Sequence, residues 1–374
     1  MEKIKIGVVF GGRSGEHEIS IRSARTVIEQ IDKEKYEVFP IAITKEGNWL
    51  NPLESLKLLP ETTQEIIGET DTNFSNSAIA LLGDTKYKGL TSLASEENSA
   101  PLDVIFPVLH GTYGEDGTIQ GLFEMAGIPY VGCDVLASSC GMDKVVMKTL
   151  FRDAELPICK YVWFLRSEWE SANETVIKQT EAKLGYPCFV KPANLGSSVG
   201  VSRADDAESL QKAIELAARY DRKIIVEEAL EMREIECAVI GNDAPEASLP
   251  GEYIIHDESK KFLDYTEKYT GTGNNDFVVP ALISEELSQK IRQMAITAFK
   301  SISGSGLARV DFFLRSDNGA LLVNEINTLP GLTDASGFPK MWAGSGKEFP
   351  QVIDELVELA FERHKDKLRN KTSF

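Results

Sequence analysis

Toward the C-terminal end of the chain, Arg309-Val-Asp311-Phe-Phe313 is followed after a short break by Leu322-Val-Asn324-Glu325-Ile-Asn327-Thr-Leu-Pro-Gly331. Side chains alternate between the faces of a strand, so Arg309 and Asp311 share one face, and Glu325 and Asn327 share one on the next strand. If the two strands pair, three oxygen donors converge beside a guanidinium. Mg2+ takes a few such oxygens and completes its octahedron with water and phosphate. Asp, Glu and Asn gathered on a buried face are costly without a cation. The other reading is a half-buried hairpin with ordinary polar alternation, which carries no chemistry.

Phe189-Val-Lys191-Pro-Ala-Asn-Leu-Gly196-Ser197-Ser198-Val-Gly200 sets a lysine at the end of an apolar strand. The loop after it offers N–H and hydroxyl donors, as a phosphate cradle needs. No Gly-Lys-Ser/Thr closes it, so it is not a Walker A, and a plain hairpin turn has the same composition. In Ile224-Ile-Val-Glu227-Glu228-Ala-Leu230-Glu-Met-Arg-Glu234-Ile-Glu236, backbone groups could meet an adenine edge and Glu234 the ribose hydroxyls. Adjacent carboxylates at a strand end are otherwise simply solvated. Gly11-Gly-Arg-Ser-Gly-Glu16-His-Glu18 lies between a strand and a helix, where exposed N–H groups suit an anion. Glu16 beside it could receive an ammonium group, although a tight strand-to-helix turn accounts for the glycines as well. Phe262-Leu-Asp264-Tyr265-Thr-Glu-Lys268-Tyr269-Thr-Gly-Thr-Gly273 has the composition of a mobile lid, or of a surface loop with its lysine stems laid along it.

These groups need rigid elements to hold them. The sequence predicts a strand at 4–10, a helix at 20–31 with Ser20 as N-cap, and a strand at 38–44, the opening of a doubly wound unit. From 51 to 100 the composition turns polar without a strong period and reads as irregular. A strand at 104–109 and a helix at 115–126 follow. A second unit is predicted from strands at 160–164, 188–191 and 224–228 with helices at 171–184 and 207–218. A third has strands at 234–240, 307–314 and 320–324 with helices at 285–301 and 351–365.

The chain has 374 residues, enough for two or three domains, and a formal net charge of −18. That charge argues against nucleic-acid or anionic-membrane partners. An anionic substrate would therefore need lysines or metal gathered locally. The N-terminal apolar stretch is too short for a signal peptide and no run suffices to span a bilayer, so a cytoplasmic location is expected. Cys133, Cys140, Cys159, Cys188 and Cys237 form no CxxC pair and read as reduced, mostly buried thiols. The four histidines show no metal-ligand spacing.

Taken in order, these segments resemble the D-alanine–D-alanine ligases of the ATP-grasp superfamily. The resemblance runs from the first strand to about Pro339, and is also carried by His110-Gly-Thr-Tyr-Gly-Glu-Asp-Gly117, Met142-Asp-Lys144 and Ser336-Gly-Phe-Pro. It implies a multidomain chain of α/β and α+β units, an ATP-grasp fold preceded by a Rossmann-like N-terminal domain. The expected divisions are 1–138, 139–230 with the central subdomain, and 231–374 with the metal site and lid. It implies that Lys144 and Lys191 hold ATP phosphates, that Glu227, Glu228, Leu230 and Glu234 surround adenine and ribose, and that Lys268 approaches the γ-phosphate. Phe189, Ser198, Phe313 and Asn324 complete the nucleotide site. Asp311, Glu325 and Asn327 would bind two Mg2+ ions, or Mn2+. Glu16 would take the ammonium of the first D-alanine and tie to Ser197 and Tyr269. Arg309 and the Gly331 N–H would face the oxyanion, and Ser336 the carboxylate of the second D-alanine. A homodimer is also implied. Met232 stands where the family commonly has glycine, and Leu263 where it often has tyrosine.

Overall fold

The computed structural model describes residues 2–67, 79–93, 99–255 and 275–371. The segment read as a lid, with Lys268, Tyr269 and Leu263, lies outside them.

The first apolar run forms β1 (Ile4–Gly11), followed by α1 (His17–Gln30) and β2 (Tyr36–Ile43), which returns parallel to β1. Ser20 is not the N-cap. It lies inside the helix, donating to the Val108 carbonyl at 2.6 Å and accepting from the Gly11 N–H at 2.7 Å, so it pins the glycine turn. Glu16 occupies the cap position without making a side-chain cap. The stretch expected to be irregular contains α2 (Pro52–Leu56), α3 (Glu61–Ile67) and a small antiparallel sheet of β3 (Ile79–Leu81), β4 (Gly89–Ser92) and β5 (Ser99–Pro101). These pieces are too short to display a period. β6 (Val104–Pro107) completes a parallel sheet in the order β2-β1-β6.

α4 (Thr118–Ala126) starts three residues later than expected, because Gly117 before it holds a left-handed φ of 89°. α5 (Val135–Met142) and α6 (Lys144–Asp153) follow, with Asp143 capping α6 through the Val145 and Val146 N–H groups. Then come β7 (Tyr161–Leu165), α7 (Arg166–Lys183), β8 (Cys188–Pro192), β9 (Ser202–Ala204), α8 (Ala207–Tyr220) and β10 (Lys223–Glu228). The strands form an antiparallel sheet ordered β7-β10-β8-β9, and the Gly196–Gly200 loop joins β8 to β9.

The last unit comprises β11 (Met232–Gly241), β12 (Glu246–Ala247), β13 (Gly251–Ile255), β14 (Asn275–Val278), α9 (Glu285–Ser301), β15 (Gly306–Arg315), β16 (Leu321–Asn327), α10 (Gly337–Gly344) and α11 (Phe349–Lys367). Its sheet runs β14-β13-β11-β15-β16, with β12 on β11. Two packing features fix the site between units. Val352, Leu356 and Ala360 of α11 share one core with Val8 and Phe10 of β1. Met147 and Phe151 of α6 share another with Val310 of β15 and Val323 of β16. Thus α6 is anchored in the C-terminal core, while its lysines point toward the central sheet.

Candidate functional site

Pairing of β15 with β16 opposes Arg309 to Asn327 and Asp311 to Glu325, as alternation predicted. On the other side β11 opposes Glu236 to Asp311 and Glu234 to Phe313. Directly opposed residues share a face, so Glu236, Asp311 and Glu325 form a carboxylate row across three strands. The register of β16 slips between Asp311 and Phe312, where Glu325 and Val323 are the successive partners. Asn324 is therefore an extra residue, a β-bulge that turns both Asn324 and Glu325 toward one cavity.

Arg309 meets this row from within. Its Nε and Nη2 donate to the two Asp311 oxygens at 2.7 Å each, and Nε lies 3.4 Å from Glu236 Oε1. Asn327 Oδ1 accepts from the Leu329 N–H at 3.0 Å. Among the described residues no three His, Cys, Asp or Glu side chains form a closed metal cage. Two carboxylates and an amide are instead a set that leaves positions for phosphate and water, which fits Mg2+.

Opposite this face lies the central sheet. Phe189 of β8 opposes Glu227 of β10, so Lys191, two residues on, is a diagonal neighbour of Glu227. Lys191 Nζ donates to Glu227 Oε2 at 2.6 Å, and Lys148 Nζ lies 2.9 Å from Oε1. Burial would push the Glu227 carboxyl up, but the two ammonium groups prevail and hold it well below the usual carboxylate range. The same burial would lower Lys148 and Lys191, and Glu227 reverses that for both. Lys144, at the start of α6, donates to the Leu195 carbonyl at 2.9 Å and lies 3.5 Å from Glu325 Oε2. Glu228 accepts from the Lys160 N–H at 2.7 Å, tying down the end of β10. Met232 opens β11 outside the left-handed region, so a side chain there brings no backbone strain.

The third side comes from loops. Glu16 accepts from Ser197 Oγ across 181 residues of sequence. Ser197 and Ser198 both hold left-handed backbone, with φ of 53° and 56°, a conformation that costs a non-glycine residue and persists only where its surroundings impose it. A Cβ on Gly111 would lie 2.8 Å from Glu16 Oε2, so glycine there leaves room for the carboxylate. Likewise a Cβ on Gly331 would lie 2.8 Å from Ser336 Oγ, which is held by Thr333 Oγ1 at 2.8 Å.

A cavity of ≈ 270 Å³ lies between the two sheets. Lys144, Lys191, Phe189, Ser197, Ser198, Glu227, Glu228, Leu230, Glu234, Phe313, Asn324, Asp311 and Glu325 all line it, with Met232 and Glu236. Glu16, Arg309, Asn327, Gly331 and Ser336 are not in its lining. A larger groove of ≈ 690 Å³ between α6, β7 and α7 contains none of the expected groups. Sequence reasoning missed Lys148 as a site residue. It falls among Val145, Met147 and Phe151 on the buried face of α6, and a lysine in that company was the available signal. It also left Glu236 without a role, because the pairing of β11 with β15 was not foreseen.

Two antiparallel sheets gripping a lysine-lined cavity, preceded by a parallel α/β unit, define an ATP-grasp fold. A structure of the D-alanine-D-alanine ligase from Coxiella burnetii superposes with a TM-score of 0.80 at 36% identity, covering 98% of both chains. The VanG D-Ala:D-Ser ligase from Enterococcus faecalis gives a TM-score of 0.83 at 38% identity, covering 96% of this chain and 100% of that one. Residues 5–133 match the D-ala D-ala ligase N-terminus and residues 150–358 the D-ala D-ala ligase C-terminus. The D-alanine--D-alanine ligase of Ruminiclostridium cellulolyticum is 48% identical over 100% of this chain and 99% of its own length. The chain belongs to the D-alanine–D-alanine ligase family, whose members are ATP-dependent ligases.

Proposed function

We propose that the protein joins two D-alanines into D-alanyl-D-alanine for peptidoglycan synthesis, cleaving ATP to ADP and phosphate. The observation that carries this reading is the meeting of Lys144, Lys191 and the carboxylate row on one cavity. A carboxylate is a poor acyl donor. Transfer of the γ-phosphoryl group to the first D-alanine makes an acyl phosphate with a good leaving group, and the amine of the second D-alanine displaces phosphate. The protein positions the reactants and neutralises charge.

In this reading Lys144 and Lys191 hold phosphates, Lys268 approaches the γ-phosphate, and Phe189, Ser198, Glu228, Leu230, Glu234, Phe313 and Asn324 surround the nucleotide. Glu227 acts chiefly by holding lysines, since its carboxylate is already engaged by two of them. Glu16, fixed by Ser197, takes the first ammonium, with Tyr269 beside it. Arg309 and the Gly331 N–H face the developing oxyanion. Ser336 takes the carboxylate of the second D-alanine. Asp311, Glu325 and Asn327 would hold two Mg2+ ions, with Mn2+ an alternative, and the ions would supply charge neutralisation at the phosphates.

The domain divisions 1–138, 139–230 and 231–374 belong to this proposal, supported by two sheets within the first and one within each of the others, although α6 of the second packs in the core of the third. A homodimer in the cytoplasm is proposed with it; among the described residues no helix is long and apolar enough to cross a membrane. The similarity to a D-Ala:D-Ser ligase makes the second substrate the point to test. With ATP, Mg2+ and equal D-alanine, D-serine and D-lactate at pH 7, D-alanyl-D-alanine is the expected main product. Mostly D-alanyl-D-serine or D-alanyl-D-lactate would overturn the specificity, and no D-alanine-dependent phosphate release would overturn the activity.

A further inference from the structure

Lys148 follows Lys144 by one helical turn but is sealed, with its side chain 1% exposed. Its ammonium meets Glu227 Oε1 at 2.9 Å, the Asn324 carbonyl at 2.9 Å and Cys159 Sγ at 3.6 Å. Sealed among these groups and absent from the cavity lining, Lys148 does not reach a ligand there. Lys191 differs. It shares Glu227 through the other carboxylate oxygen, yet keeps 17% of its side chain exposed and lines the cavity. One carboxylate between two lysines carries a net positive charge, and the exposed end of that triad is the end facing the cavity.

We propose that Lys148 is a positioning residue for nucleotide binding: by neutralising Glu227 it leaves the charge of Lys191 available to the phosphates. Without Lys148, Glu227 and Lys191 form a neutral pair, and a phosphate must compete with the carboxylate for the same ammonium. The Asn324 contact adds a second effect, because it holds the bulge that turns Asn324 and Glu325 into the cavity. The inference rests on the reading of Lys191 as a phosphate contact.

The test is calorimetric titration of ADP and of adenosine, in buffer with EDTA, against the full chain and its Lys191→Met, Lys148→Met and Lys148→Met/Glu227→Gln variants. The readout is the ratio of ADP to adenosine affinity, which isolates the phosphate contribution. Lys148→Met lowers this ratio about tenfold, the size of one charge-assisted contact. The double variant brings it back to within about threefold of the parent protein, because removing both charges releases Lys191. A purely structural role would weaken ADP and adenosine alike and leave the double variant no better than the single. Should Lys148→Met fail to fold, the double variant against the parent decides, since neutral side chains of similar length replace the buried pair. A double variant tenfold below the parent, or an unchanged ratio in Lys148→Met, overturns the proposal. If Lys191→Met binds ADP like the parent, it is the reading of Lys191 that falls. If Lys191→Met lowers the ratio and Lys148→Met does not, only the present inference falls.

Discussion

Replacing Arg309 by methionine separates the two jobs proposed for its guanidinium. Arg309 and Asp311 side chains are each 13% exposed, and their paired hydrogen bonds are 2.7 Å long. Glu236 stands on the neighbouring strand 3.4 Å from Nε. At an effective dielectric near 20, one pair of unit charges about 4 Å apart is worth about 4 kcal/mol. Removing one partner of a buried pair costs about 3–5 kcal/mol, because the remaining charge stays desolvated. Taking the lower end, since water can enter a cavity-facing site, the loss is about 3 kcal/mol. With an unfolding entropy of ~2.1 cal/mol/K per residue over 374 residues, the metal-free variant should melt about 4 °C below the parent. Mg2+ with ADP restores positive charge beside Asp311, so the deficit should shrink when both are added. Turnover should not follow, because a cation at the phosphates does not replace a donor aimed at the oxyanion; kcat should stay about 10²–10³-fold down. Thermal unfolding with and without Mg2+ and ADP, alongside phosphate release, gives both readouts. A deficit of equal size in both conditions would refute the carboxylate-row argument, and near-normal turnover would refute the oxyanion role.

The remaining predictions address the nucleotide side and the buried groups. Lys191→Ala should weaken ATP by about 1.5–3 kcal/mol in direct titration, and unchanged affinity would show that Lys191 does not touch it. Glu325→Ala should lose nucleotide-dependent Mg2+ binding with an intact circular-dichroism spectrum; near-normal activity at ordinary Mg2+ would contradict the metal assignment. Glu227 has its folded pKa depressed, so its stabilisation is present above the unfolded value near ~4.3 and fades as pH falls through the folded one. Lys148 has its pKa raised, so its share is present below ~10.4 and fades only as pH rises beyond that. The urea stability difference between parent and Lys148→Met/Glu227→Gln should thus be flat from pH 5 to 9, and a slope there would count against the triad. Cys133, Cys159, Cys188 and Cys237 are buried, with thiols pushed up to about 12, 11, 11 and 12, whereas Cys140 is half-buried. A thiol reagent on the native protein should therefore modify Cys140 first, and reaction of the others before unfolding would contradict their burial.

What could be read from the sequence was whatever local chemistry and packing agree upon. The helix over Glu285–Ser301 was predicted to the residue because Ser284 caps it and its buried residues recur at helical spacing. The β15–β16 face was legible because polar side chains alternate with fully buried ones. The bulge was not. It is a one-residue slip in register, and the segment remains a plausible continuous strand without it. The start of α1 was misplaced because Ser20 has the composition of a cap but uses its hydroxyl in a long-range bond to Val108. The pattern sets Lys148 on the buried face of its helix but does not show what it meets, since its partners come from β10 and β16, far away in sequence. Of the two missed residues, Glu236 lines the cavity beside the expected groups, whereas Lys148 stands behind it and holds Glu227.

The uncapped start of α1 has a reason in the tertiary structure. A side-chain cap at that position is worth about 1 kcal/mol, and Glu16 makes none. Its carboxylate reaches Ser197 of the central unit, past the space left open by Gly111. Helix stability is thus given up at a residue that links the N-terminal and central units. Other polar links from the central unit run from the Leu195 carbonyl to Lys144, from Glu227 to Lys148 and from Lys223 to Asp143. The N-terminal and C-terminal units, by contrast, are joined through an apolar core and by Arg363, which donates to the Tyr130 carbonyl at 2.7 Å and to Ser305 Oγ at 2.8 Å. Gly306, at φ 73°, packs so closely on Gly132 that a Cβ would lie 2.9 Å from its carbonyl oxygen. The central sheet instead meets its neighbours through polar contacts around the cavity, together with the small apolar cluster of Val145, Ala193 and Ile225.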